Sequence, residues 1–205
     1  MSLLALAARV LGSVHKGGRH GCLVGGLAVS ARSDPRFTHD VDLAVAVDGD
    51  AEGEALIRAL ASDGFMASTV IEQDAVGRMA MVRLSDREGT SVDILLASSG
   101  IEREIVLDAE PLEVVRGVII PVARIGHLIA LKLLSVAPGR ETDAMDLRAL
   151  ARVANDAEWA RAHAAVQLIE ARGFAPKLSF HVPAAAHTSS YCNKSGSTKT
   201  RSCVV

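Results

Sequence analysis

Apolar positions at the start of this chain recur at helical spacing: Leu4, Ala8, Leu11 and Val14 fall on one face, which predicts an amphipathic helix over about 2–15. The period then shortens. Apolar runs bounded by turn residues predict strands near 20–24, 40–47, 65–72, 78–85 and 90–97, with Gly77 and Asp86 to Gly89 as turn signals. Between them, Leu27 to Ala31 reads as the first turns of a helix and 51–63 as a longer one. Residues 101–122 read as short β segments, with Pro111 at a turn and Val118-Ile119-Ile120 as an apolar strand. Beyond Arg124 the period is helical again: one helix to about Val136, a break at Pro138-Gly139, and helices near 142–154 and 156–171. The expected fold is α+β (α/β), a small mixed sheet flanked by helices. Residues 1–122 form its core, 123–173 a helical lobe packed on that core, and 174–205 a tail rich in Ser, Thr, Lys, His and Pro that reads as disordered.

Composition narrows the setting. With 205 residues, 49% of them hydrophobic, and a net charge of −2, the chain can bury one good core plus a small helical appendage. The longest apolar runs, Val118 to Ala123 and Leu128 to Leu134, are broken by Pro121 and Lys132 and are too short to cross a bilayer, so no membrane association is expected. Arg9 interrupts the apolar stretch of 3–14, which favours a folded helix over a signal peptide. Cys22, Cys192 and Cys203 are odd in number and lack metal-ligand spacing, which fits a reducing cytoplasm.

The chemistry concentrates in a few short stretches. Cys22-Leu23-Val24 reads as a strand entering Gly25-Gly26 and then a helix; glycine lets backbone approach a ligand closely, and the free amides of a helix start attract an anion such as a polyphosphate. Some residues later come Asp40-Val41-Asp42. Alternation along a strand aims Asp40 and Asp42 at one spot, and like charges held so close call for a cation; oxygen ligands at that separation suit Mg²⁺. A third acid, Asp93, interrupts the apolar run Val92 to Leu96. By itself it reads equally as a strand-edge acid facing water or an arginine; beside the other two it completes a set of metal-binding carboxylates. No Walker A pattern occurs, which argues against a P-loop NTPase.

These stretches resemble the nucleotidyltransferase superfamily that shares the DNA polymerase beta type fold, and within it the AbiEii-like toxins of toxin–antitoxin systems. The family's glycine motif is matched by Val24-Gly25-Gly26, its Asp-x-Asp by Asp40-Val41-Asp42, its third acid by Asp93, and its Arg-x-Thr lead-in by Arg36-Phe37-Thr38. A further block is similar too: Leu128 to Leu134 around Lys132, then Arg140, then Asp143-Ala144-Met145-Asp146. Taken alone, Lys132 reads as a lysine that snorkels from an apolar helix, and Asp143 and Asp146 as a solvated helix face with Arg140 and Arg148 for partners. The resemblance implies other roles. Asp40, Asp42 and Asp93 would bind the metal, Gly25, Gly26, Arg36 and Lys132 the nucleotide, and Asp143 or Asp146 would position or deprotonate the acceptor. Many relatives carry a lysine directly before the first of these acids where this chain has Thr142, which favours Asp146.

The expected function is therefore an Mg²⁺-dependent transfer of NMP from an NTP to RNA such as tRNA, by an AbiEii-like toxin with a cognate antitoxin. One alternative is transfer to a small hydroxylated compound of the aminoglycoside type. Another is a catalytically silent module of the same fold. With one Trp, one Tyr and four Phe, base stacking would be sparse, and RNA phosphates would be met by Arg32, Arg36, Lys132 or Arg140.

Overall fold

A computed structural model describes residues 2–74, 76–135 and 141–174. The first helix, α1 (Leu3–Lys16), is capped by Ser2, whose hydroxyl accepts from the Ala5 amide; its buried stripe is Leu6, Ala7, Val10, Leu11 and Val14. That face lies a little round from the expected one, leaving Leu4 and Ala8 half-buried. Strand β1 (Gly21–Val24) runs directly into α2 (Gly25–Arg32), and β2 (Val41–Val45) follows. Then come α3 (Asp50–Ser62), the hairpin of β3 (Met66–Gln73) and β4 (Arg78–Ser85), and β5 (Ser91–Leu95).

Residues 101–107 differ from the sequence reading. Instead of a β segment, Glu102–Leu107 forms a short helix, α4. The buried Glu102 carboxylate, at the first helical position, accepts from the amides and hydroxyls of Ser98 and Ser99 and so ties the start of the helix to the loop before it. Pro111 also departs from expectation. It lies in β6 (Glu110–Val115), opposite Pro121 of β7 (Val118–Val122), and is tolerated because β6 is an edge strand.

Among the described residues the strands form one mixed sheet in the order β3-β4-β5-β2-β1-β7-β6. The central strands β1, β2 and β5 are buried and rich in Val, Leu and Ile. Strand β2 pairs antiparallel with β1 and parallel with β5. Helices α5 (Ile125–Ser135), α6 (Glu141–Val153) and α7 (Asp156–Ala171) follow, with α5 packed against α2, α6 and α7. The expected break at Pro138-Gly139, Arg140 and the segment 175–205 lie outside the described residues. No helix among the described residues is long and apolar enough to cross a membrane.

Candidate active site

The β1–α2 junction is built around one close approach. Gly25 has φ +63°, and a Cβ placed on it would lie 1.9 Å from Asp42 Oδ2, so only glycine lets the strand turn into the helix there. The next amide, that of Gly26, favours the charged form of the Asp42 carboxylate. A Cβ on Gly26 would in turn meet Arg36 Nη2 at 2.6 Å and Thr38 Oγ1 at 3.0 Å. The loop ahead of β2 thus lies over the start of α2, with Arg36 and Thr38 facing in.

Asp42 and Asp93 are register partners on the parallel strands β2 and β5. Asp40 precedes β2 by one residue and is exposed. Burial pushes the Asp42 carboxyl up to about 6, the negative charges of Asp93 and Asp40 add to that rise, and Lys132 and the Gly26 amide pull against it. Such a site is short of positive charge. Its donors are hard carboxylate oxygens, which fit a hard divalent cation such as Mg²⁺. As they stand, however, no three acids, histidines or cysteines among the described residues converge closely enough to hold a metal. Asp93 is paired instead with an arginine: Arg83 on β4 donates from Nε to Oδ1 and from Nη2 to Oδ2, each at 2.7 Å.

Opposite the carboxylates stand the helices. Lys132 of α5 is mostly buried rather than snorkelled, with Nζ 2.7 Å from Asp143 Oδ1 and 2.8 Å from Asp146 Oδ2. Asp146, 1% exposed, also accepts from Arg36 through Nε at 2.5 Å and Nη2 at 2.8 Å. Neither Asp143 nor Asp146 is a solvated surface acid: both are buried. A cavity of about 440 Å³ separates sheet from helices, and Gly25, Asp42, Lys132, Asp143, Ser99 and Ser135 are on its walls. The structure thus joins Gly25, Asp42, Lys132 and Asp143 at one cavity, while Asp93, Asp40, Arg36 and Asp146 flank it without lining it.

Sequence reasoning missed Arg83. The signal was available, because Arg83 and Asp93 are each five residues from Glu88 in the turn between Asp86 and Thr90, and the hairpin register of β4 with β5 sets them opposite each other.

The family model for the nucleotidyl transferase AbiEii toxin, type IV toxin–antitoxin system, matches residues 15–189. No curated protein matches the chain. Among solved structures, the chain is similar to the antibiotic-resistance factor ANT(2'')-Ia in solution, at 15% identity and TM-score 0.52 over 82% of this chain and 91% of that one. It is also similar to the crystal structure of ANT(2'')-Ia in complex with adenylyl-2''-tobramycin, at 17% identity and TM-score 0.52 over 82% and 97%. An antigenic nucleotidyltransferase-like protein from Paracoccidioides brasiliensis matches at 18% identity and TM-score 0.51 over 83% and 88%. These likenesses identify the sheet and its helices as the nucleotidyltransferase fold.

Proposed function

The chain belongs to the family of AbiEii nucleotidyl transferase toxins, and we propose that it moves NMP from an NTP to an RNA acceptor such as tRNA with Mg²⁺ as cofactor. The observation that carries this reading is the contact of Gly25 with Asp42, which brings a helix start and a half-buried carboxylate to the same end of a cavity that has a lysine and an acid on its far wall.

Asp42 and Asp93, with Asp40 beside them, are the residues that would hold Mg²⁺. Bound there, the ion would neutralise phosphate charge and lower the pKa of the acceptor hydroxyl. The chain's own groups supply the rest. Lys132, on the cavity wall, meets the β and γ phosphates, and the amides at the start of α2 add donors for the same charge. Arg36, tied to Asp146, holds the 33–40 loop over Gly26 and keeps the nucleotide end of the cavity in shape. The acceptor oxygen forms a bond to the α-phosphorus, the bond from that phosphorus to the pyrophosphate oxygen breaks, and pyrophosphate leaves.

The hydroxyl proton goes to Asp143, which lines the cavity, and not to Asp146, which lies off its walls. Asp146 is on this reading a positioning residue. The protein acts in the cytoplasm on cellular RNA, and a cognate antitoxin restrains the resulting growth arrest.

The test is incubation of the protein and Mg²⁺ with each α-³²P NTP, offering total RNA in one arm and tobramycin in another. Label in RNA, together with growth arrest on induction, supports the reading. Label in tobramycin alone, with normal growth, would replace it by the small-molecule alternative.

A further inference from the structure

Three side chains stand in a row across the sheet: Asp42 on β2, Asp93 on β5 and Arg83 on β4 are successive register partners, so all three project from the same face. Asp93 is 7% exposed and fixed on a central strand. A carboxylate so buried needs a partner, and the guanidinium fork supplies one by engaging both oxygens. The side chain of Arg83, by contrast, is 45% exposed. Its charge is held by Asp93 first, with Asp40 and Asp42 adding to the pull.

The two partners are thus unequal in mobility. Rotation of the arginine about its own side-chain bonds frees Asp93 without moving the strand, and the carboxylate it uncovers then needs the incoming cation as its new partner. A divalent cation drawn to Asp42 needs what Arg83 holds.

We propose that Arg83 is a cationic latch on the third carboxylate, occupying Asp93 until a divalent cation displaces it and thereby setting the affinity of the site for metal. The inference rests on reading Asp42 and Asp93 as Mg²⁺ ligands. Arg83 is a positioning residue here: it acts on the metal site through Asp93 and takes no part in the transfer itself.

The test is Mn²⁺ binding to the full chain, followed through loss of the free-ion electron paramagnetic resonance signal, for wild type, Arg83→Gln, Arg83→Lys and Asp42→Asn. The latch predicts that Arg83→Gln binds Mn²⁺ roughly tenfold tighter than wild type. It also predicts a smaller gain for Arg83→Lys, which keeps the charge but loses the fork, and weakened binding in Asp42→Asn. Equal affinity in wild type and Arg83→Gln, with Asp42→Asn still deficient, overturns the latch and leaves the metal reading standing. Binding that ignores Asp42→Asn, or no binding by wild type and both Arg83 variants, overturns the two together. If Arg83→Gln does not fold, Arg83→Lys decides: tighter binding supports the latch, and equal or weaker binding overturns it.

Discussion

Arg36 and Asp146 lie 110 residues apart in the chain and meet in a two-pronged ion pair, with Nε on Oδ1 at 2.5 Å and Nη2 on Oδ2 at 2.8 Å. The pair fastens the loop before β2 to α6. Lys132 joins it from α5, so one buried carboxylate ties together a loop and two helices. Asp146→Asn removes the charge from this junction and leaves two cations facing a neutral amide. We expect it to lose about 2 kcal/mol of stability in urea denaturation, less than a fully buried pair because Arg36 is partly exposed. Its affinity for NTP should fall in parallel, since the loop over Gly26 loses its anchor.

Asp143→Asn should behave differently. An amide oxygen can still accept from Lys132 Nζ, so folding and NTP binding are expected to stay near wild type. A general base would be lost, however, and transfer should slow by roughly 100-fold or more. Steady-state kinetics separates the cases, because the account places the effect in kcat with KM for NTP little changed. An equal loss in Asp146→Asn without any change in stability would shift the proton-accepting role to Asp146.

The elevated pKa of Asp42 makes stability depend on pH. Its carboxyl is raised from 3.8 to about 6 by burial first, then by Asp93 and Asp40. The folded state therefore binds this proton more tightly than the unfolded state. The group's ionisation penalty is absent below pH 3.8, grows as pH rises through the window and is complete above about 6. In a chelator, Asp42→Asn should be more stable than wild type at pH 7.5 by on the order of 2–3 kcal/mol. The two proteins should be nearly equal at pH 4. Chemical denaturation at both pH values checks the prediction, and a gap independent of pH would contradict it.

Much of the site was legible because its parts sit in short, spaced stretches. Gly25-Gly26 before a helix, Asp40-x-Asp42 at the head of a strand, and Asp93 within an apolar run each carry a local physical signature. What could not be read was which side chains from distant segments pair with one another. The burial of Asp143 and Asp146 depends on Lys132 and Arg36 arriving from distant segments, and nothing in the helix pattern of 141–153 distinguishes them from surface acids. The misread helix α4 is of another kind. Six residues are too few for periodicity to outweigh the β-branched run Ile105-Val106. Pro111 was read as a turn because an edge position is fixed only by the order of the strands.

Helices α5 and α7 cross at Gly126, where an added Cβ would lie 2.4 Å from the Glu158 carbonyl oxygen. The Gly126 amide also donates to Glu158 Oε2 at 2.7 Å. Even a methyl group must push the two backbones apart. Gly126→Ala should lower stability by about 1–3 kcal/mol. Since α5 carries Lys132, it should also weaken NTP binding. Thermal unfolding with and without NTP reads both effects.

The most direct test of the central claim is transfer of label from an α-³²P NTP to RNA by Asp42→Asn beside wild type, at equal concentrations of folded protein with Mg²⁺. The account predicts a variant that is folded and no less stable, yet slower by about 1,000-fold or more. Label transferred at the wild-type rate by Asp42→Asn would contradict it, because the carboxylate against Gly25 would then have no part in the chemistry.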